Sequence, residues 1–256
     1  MPLTRQRLKE LHRLLRRKGR ERVRQFLVEG VRSVEAAVQA KAPLVEVLVT
    51  HEAAEDVRVI AVLDTLTVPV HTLPTREMAR LTDTQTDQGL LGVATSVVAD
   101  DLAALDAAQT VLVLDGVQDP GNVGTLIRTA AWFGAEAVLA GPGTADLESP
   151  KVVRSAMGGL WDLRLVRTDD LGAALARLAD RMPIVGADLA GEPAARWQPP
   201  EAGALVLGSE AHGLSEATQQ HLTARVCLKG HPPRKGVESL NVAVAGGILL
   251  HRWLGV

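Results

Sequence analysis

Short apolar runs alternate with stretches of helical periodicity from about residue 25 to the end of the chain. Phe26-Leu27-Val28 at the head of 26–30 reads as a buried strand, and 31–40 carries its apolar residues at helical spacing. A strand over 45–49, a helical stretch around 53–66 and a strand over 68–73 follow. Thr75, with an acid two residues on, opens a short predicted helix over 75–81, and 89–98 reads as a strand. The segment 99–109 is rich in Ala and Asp and has no strand pattern, so a domain boundary is expected there. The alternation then restarts. Strands are predicted at 111–114, 137–140, 163–166, 184–186, 205–207 and 225–228, with helices at 123–133, 150–157, 171–181 and 240–253. The expected fold class is α/β. A small N-terminal α/β unit at 25–98 precedes a larger α/β domain at 106–256 built on a mostly parallel sheet.

The last predicted helix is apolar almost all round, so it should be buried rather than amphipathic. Ser239 is its expected N-cap, and Asn241 stands beside it. A polar pair at the mouth of a buried helix is where backbone amides and side chains converge on a ligand, although a capped core helix has the same pattern.

Composition narrows the picture. Of the 256 residues, 46% are hydrophobic and 23% charged, an ordinary globular balance. No apolar run reaches the length of a membrane span, and no signal-peptide pattern opens the chain. Cys227 is the only cysteine, which excludes an internal disulfide and a multi-cysteine zinc site and fits a reducing cytoplasm. Tyrosine is absent, so stacking platforms for bases are few. The net charge of -2 hides an asymmetry. Residues 1–24 carry Arg5, Arg7, Lys9, Arg13, Arg16, Arg17, Lys18, Arg20, Arg22 and Arg24 against Glu10 and Glu21. Leu8, Leu11 and Leu15 share one helical face there, so a basic amphipathic helix is expected, facing a polyanionic partner.

Three blocks carry chemistry. In the first, strand 111–114 runs through Asp115-Gly116 and Asp119-Pro120-Gly121 into a helix for which Asn122 is the expected cap, with Arg128 about two turns in. G-x-G-x-x-G is absent and the next strand ends in Gly141-Pro142-Gly143 without an acid, so a dinucleotide fingerprint fails. In the second, strand 205–207 runs into Gly208-Ser209-Glu210-Ala211-His212-Gly213-Leu214, which offers a carboxylate on a glycine-flanked turn. The third is Glu238-Ser239-Leu240-Asn241-Val242. His212, His221 and His231 make no metal-ligand pattern, and no metal is expected.

In this order, each after a strand, the blocks resemble the three motifs of the SpoU/TrmH family of RNA ribose 2′-O-methyltransferases, within the SPOUT superfamily. The resemblance spans roughly 105–256, and 24–98 looks like that family's small RNA substrate-binding domain. It implies a deep trefoil knot in the C-terminal segment, an S-adenosylmethionine pocket around Gly208, Leu228 and Leu240, and a homodimer with the site near the dimer interface. It further implies catalysis by Arg128, with Asn122, Glu210, Ser239 and Asn241 in support. The chain departs from the family pattern between Leu228 and Gly236, a segment about three residues longer than usual, in which Leu228 or His231 could fill the apolar cofactor position; Leu228 is chosen because it ends a strand. A guanidinium is a poor base, so holding the adjacent phosphate and polarising the hydroxyl suit Arg128 better. Glu210 could orient Arg128 or relay a proton. Ribosomal RNA is the preferred substrate. Transfer RNA, an inert RNA-binding protein that keeps the knot, and a small-molecule nucleotide-binding enzyme stay as alternatives.

Overall fold

The computed structural model describes residues 3–84, 88–231, 236 and 238–255. The basic segment folds as two helices, α1 (Arg5–Arg13) and α2 (Arg17–Val23). β1 (Gln25–Glu29), α3 (Val31–Gln39), β2 (Leu44–Thr50), α4 (Val57–Leu63), β3 (Val70–Leu73), α5 (Thr75–Met78) and β4 (Leu90–Thr95) follow. The strands form a four-stranded sheet in the order β1-β4-β2-β3. The helix expected over 53–66 is divided, because Asp56 interrupts it and caps α4 by accepting from the amides of Arg58 and Val59. Thr75 does not cap α5: Pro74 holds that position, and the Thr75 hydroxyl donates to Glu52 instead.

The second half contributes β5 (Val98–Ala99), β6 (Thr110–Asp115), α6 (Pro120–Trp132), β7 (Ala137–Ala140), α7 (Pro150–Ala156), β8 (Arg164–Arg167), α8 (Leu171–Ala179), β9 (Ile184–Pro193), β10 (Gly203–Gly208), α9 (Glu216–Gln219), β11 (Ala224–Cys227) and α10 (Val242–Leu254). Its seven strands run in the order β11-β9-β10-β6-β7-β8-β5, with every pairing parallel. The strand expected over 89–98 therefore divides: Leu90–Thr95 stays in the small sheet, and Val98–Ala99 joins β8 in the large one.

Parallel strands covered on both faces must be apolar on both, and β6 is buried along its whole length. Leu112 and Leu114 face one cluster with Val123, Leu126 and Ile127 of α6 and Leu249 and Leu250 of α10. Val111 and Val113 face another with Leu171, Leu175 and Leu178 of α8. The first cluster continues into the small sheet, where the Phe26 ring stacks on Trp161 at 5.8 Å between centroids. The far face of the small sheet is covered by α1, α5 and their flanks: Leu11, Leu14, Met78 and Leu81 pack with Leu27, Leu48 and Leu91. A nine-residue helix is marginal alone. Burial of Leu11 and Leu14, about 1.5–3 kcal/mol each, holds α1 in place.

Candidate functional site

The loops after β6 and β10 and the start of α10 meet at the carboxyl end of the parallel sheet, the edge where ligands of open α/β folds bind. Two expected caps are corrected. Asp119, not Asn122, caps α6: its carboxylate accepts from the Asn122 amide at 2.9 Å, and Pro120 occupies the first helical position, where a missing N–H costs nothing. Asn241, not Ser239, caps α10, accepting from the amides of Ala243 (2.9 Å) and Val244 (3.2 Å). Both corrections free a side chain for other work. The Asn122 amide and, secondarily, the Lys151 ammonium hold the Asp119 carboxyl below its ordinary pKa.

Asn241 Oδ1 faces the helix amides, so its Nδ2 is left to donate, and it donates to Asn122 Oδ1 at 3.1 Å. Asn122 Nδ2 in turn donates to Glu210 Oε1 at 2.6 Å. A single polarised chain thus runs from the first turn of α10 through Asn241 and Asn122 to the Glu210 carboxylate, linking all three sequence blocks. Gly246 makes the approach of α10 possible. A Cβ there would lie 2.4 Å from Leu126 Cδ2 and 2.6 Å from Leu207 Cδ1, so a side chain would have to displace those two leucines or α10 itself.

Glu210 sits on a tight turn. Ser209 and Gly213 exchange backbone hydrogen bonds of 3.0 and 2.8 Å, and a Cβ on Gly208 would strike the Gly213 backbone at 2.4 Å. The far end of the turn is anchored by Asp115, whose buried carboxylate accepts from the Ser215 amide and the Thr218 hydroxyl, each at 2.7 Å. Neither Asp115 nor Asp119 stood among the expected site residues. An acid closing an apolar strand, and an acid directly before proline, were the signals available.

The remaining candidates are not brought into this chain. Arg128 is exposed on α6, six residues and about 9 Å of helix beyond Asn122 and on a different face. No described residue pairs with its guanidinium, and Glu210 bonds to Asn122 rather than to Arg128. Ser239 is exposed, with no bond to a described residue. Of the cofactor candidates, Gly208 ends β10, half-buried Leu228 follows β11 and packs on the core, and Leu240, 48% exposed, precedes α10. The adenine and the aliphatic arms of the sulfonium need backbone groups and apolar surface, and Gly208, Leu228 and Leu240 offer both; the residues present fit S-adenosylmethionine. Residues 232–235 and 237, within the long segment between Leu228 and the third block, lie outside the described residues. Among the described residues, no group of His, Cys, Asp and Glu could hold a metal, and no helix is long and apolar enough to cross a membrane.

A family model described as the SpoU rRNA Methylase family matches residues 109–251, and an MRM3-like substrate binding domain matches residues 5–92. The chain is 34% identical to the 23S rRNA (guanosine(2553)-2'-O)-methyltransferase RlmP of Bacillus subtilis (strain 168), over 98% of this chain and 96% of that protein. It superposes on the SpoU methyltransferase AviRb of Streptomyces viridochromogenes, solved in complex with AdoMet, with a TM-score of 0.87 at 26% identity over 97% of each chain. A structure described as an RNA methyltransferase of the TrmH family from Porphyromonas gingivalis gives a TM-score of 0.82 at 33% identity, over 99% of this chain and 98% of that one. Motifs, fold and relatives agree, and the chain belongs to the SpoU rRNA methylase family.

Proposed function

We propose that this protein is an S-adenosylmethionine-dependent RNA methyltransferase acting on a ribose 2′-hydroxyl of ribosomal RNA. The observation that carries the reading is the hydrogen-bonded chain Asn241–Asn122–Glu210, which gathers the three family motifs at the carboxyl end of the sheet. The named activity of the Bacillus relative supports the substrate class, and the AdoMet-bound neighbour supports the cofactor.

S-adenosylmethionine supplies an electrophilic methyl group when bound, and Gly208, Leu228 and Leu240 are the residues that would hold it. The ribose oxygen becomes a competent nucleophile only as its proton is shared. Arg128, free of partners among the described residues, is assigned the adjacent phosphate and the polarisation of the hydroxyl. Glu210, fixed by Asn122, is assigned the acceptor role on the proton's path. Asn122, Ser239 and Asn241 fix the ribose.

The working form in this reading is a homodimer. A groove of about 540 Å³ lies along α6 and α10, with Asn122 and Asn241 at one end and Val244 and Ile248 exposed along it. A second copy seated there would cover that apolar surface and border the site. The reading includes a trefoil knot, supported by the return of the chain from edge strand β11 to α10, which packs on α6 and β10 near the sheet centre. Its setting is the cytoplasm.

The test is methyl transfer from labelled S-adenosylmethionine to ribosomal RNA fragments, with the modified position mapped by resistance to alkaline cleavage. One protected ribose is expected. Methylation of a base, or of transfer RNA alone, would replace the reading.

A further inference from the structure

A cleft of about 980 Å³, lined by none of the catalytic candidates, lies between the small sheet and α7. The N-terminus of α3 opens into it. Gly30 precedes α3 with a positive φ of 92° and provides no side-chain cap. Gln88 takes one orphan amide, accepting from Val31 N at 2.9 Å, and thereby leaves its own Nε2 as a donor. The amides of Arg32 and Ser33 are met by no described group. Ser33, a residue only 6% exposed, lines the cleft, and its hydroxyl bonds to no described residue. A hydroxyl that opens on the cleft beside two uncapped helix amides makes a set of donors facing the same space.

Most side chains around this corner are already engaged with one another. Arg154 pairs with Glu29 at 2.7 Å, and Glu29 also accepts from the Thr84 hydroxyl, so that carboxylate is already neutralised. Arg58 is occupied by Glu35. Glu52 takes the Thr75 hydroxyl, and Asp56 is committed to the cap of α4. Arg32 is exposed at the mouth and makes no ion pair with a described residue. The donors left open at this corner are one guanidinium, two helix amides at the positive end of α3, and one hydroxyl; the Glu52 and Asp56 carboxylates, which line the same cleft, keep their charge but already accept from Thr75 and from the first turn of α4.

We infer that this corner is a seat for a phosphodiester of the RNA substrate, held by the Arg32 and Ser33 amides, the Ser33 hydroxyl and the Arg32 guanidinium. The inference rests on the RNA-methyltransferase reading above. Such a contact lies in the small domain and includes none of the catalytic candidates, so it fixes register along the RNA rather than chemistry. A free phosphate offers the same oxygens, and the experiment has to separate the two sources.

The experiment has two arms on the full-length protein. In the first, inorganic phosphate is titrated while the backbone amide resonances of Arg32 and Ser33 are followed; selective shifts at these two amides are expected. In the second, filter binding of a ribosomal RNA fragment across salt concentrations compares the wild type with Arg32→Ala, Ser33→Ala and the double variant. The double variant should bind about tenfold more weakly, and its salt slope should fall by about one. Arg32→Lys should recover part of the affinity, because it restores the charge without the fork. Unchanged RNA affinity and slope in the double variant overturn the inference, and amide shifts with phosphate in that case mark a free-anion site. If the wild type methylates RNA while these variants bind it normally, only the seat falls. If the wild type methylates no RNA, the functional reading falls, and the phosphate arm still judges the donors.

Discussion

Helix α6 is covered differently on its two flanks. On one side α7 and the turn Gly159–Trp161 pack against it, and Phe26 of the small sheet stacks on Trp161. Ion pairs ring that seam: Arg20 with Asp146, Arg154 with Glu29, and Arg167 with Glu21 and Asp100. On the other side α10 lies alongside, with Val244 and Ile248 exposed, and Trp132 at the end of α6 is 83% exposed. Charge can sit in the first contact because both partners of each pair are held by one chain, with their geometry fixed by folding. The second is an apolar surface that contributes only when something covers it. One flank is finished by the chain itself, and the other is the face that the proposed second copy would cover.

Arg128, on the helix between these flanks, gives the largest expected effect. Arg128→Lys keeps the charge but loses the planar fork, and methylation should fall by about 100-fold or more, as when a transition-state donor is removed. Affinity for S-adenosylmethionine, measured by calorimetry, should stay within a few-fold. Normal turnover in the lysine variant would remove Arg128 from its assigned role. The open flank is broken by Val244→Asp with Ile248→Asp. Sedimentation should show a dimer for the wild type and a monomer for the variant, with methylation lost alongside; a dimer that survives both carboxylates uses another surface. The closed flank is broken by Arg20→Ala. Arg20 is 5% exposed and also donates to the Leu14 carbonyl, so its loss strands Asp146 and that oxygen. Urea denaturation should report a loss of about 3 kcal/mol, the low end for a buried pair because Asp146 keeps a fifth of its surface exposed. A loss under about 1 kcal/mol would class the pair with surface bridges.

The basic segment belongs to the same contrast. Half of its meaning was legible: the leucines do bury one helical face, and residues 5–92 match a substrate-binding domain as one piece. What periodicity could not show is that Arg7, Arg20 and Arg24 find acids far along the chain, at Glu46, Asp146 and Asp100. Arg5, Lys9 and Arg13 lie four residues apart on one exposed face of α1, with no described ion pair. Removing residues 1–24 would uncover Leu27, Leu48 and Leu91, so substitution is the cleaner probe. Changing these three to Ala should reduce the salt slope of RNA binding by about one per residue that meets a phosphate. A slope equal to that of the wild type leaves them as a solvated helix face.

The rest of the site shows where sequence reading stops. Strand positions were legible because a doubly covered strand must be apolar at every residue, as β6 is. β9 was read short, since Asp188 breaks its apolar run and only Ile184–Gly186 is buried; its more exposed second half pairs with β11 across an irregularity that no hydrophobic pattern encodes. The caps were misplaced by two or three residues for a different reason. Ser, Asn and Asp all cap well, and what selected Asn241 over Ser239, and Asp119 over Asn122, is where each helix must begin once Gly246 and Pro120 are in place. The Asn241–Asn122–Glu210 chain joins residues 88 and 119 apart and exists only after α10 has returned to α6.

The smallest effect tests the closed flank through protons. Glu148, between β7 and α7, is buried and accepts from the Val97 amide at 2.8 Å, where the chain passes from the small sheet into β5. Burial pushes its pKa above the ordinary glutamate value and neighbouring Asp146 adds to this, against the lowering by the Val97 amide and the Ser96 hydroxyl. A carboxyl whose folded pKa is raised binds its proton more tightly in the native state than in the unfolded one. Its contribution to stability is therefore full below the unfolded pKa and is lost as pH rises through the folded one. Glu148→Gln has no such proton. The stability of the variant minus that of the wild type should then climb with pH from the ordinary glutamate range through the raised pKa of Glu148, and level off beyond it. The absolute offset between the two proteins decides nothing, because glutamine also changes the bonds to residues 96–98. The slope does. Urea denaturation of both proteins from about pH 4 to pH 7 measures it, and an offset independent of pH would mean that Glu148 is ionised in the seam at no cost, as well solvated by its donors as by water.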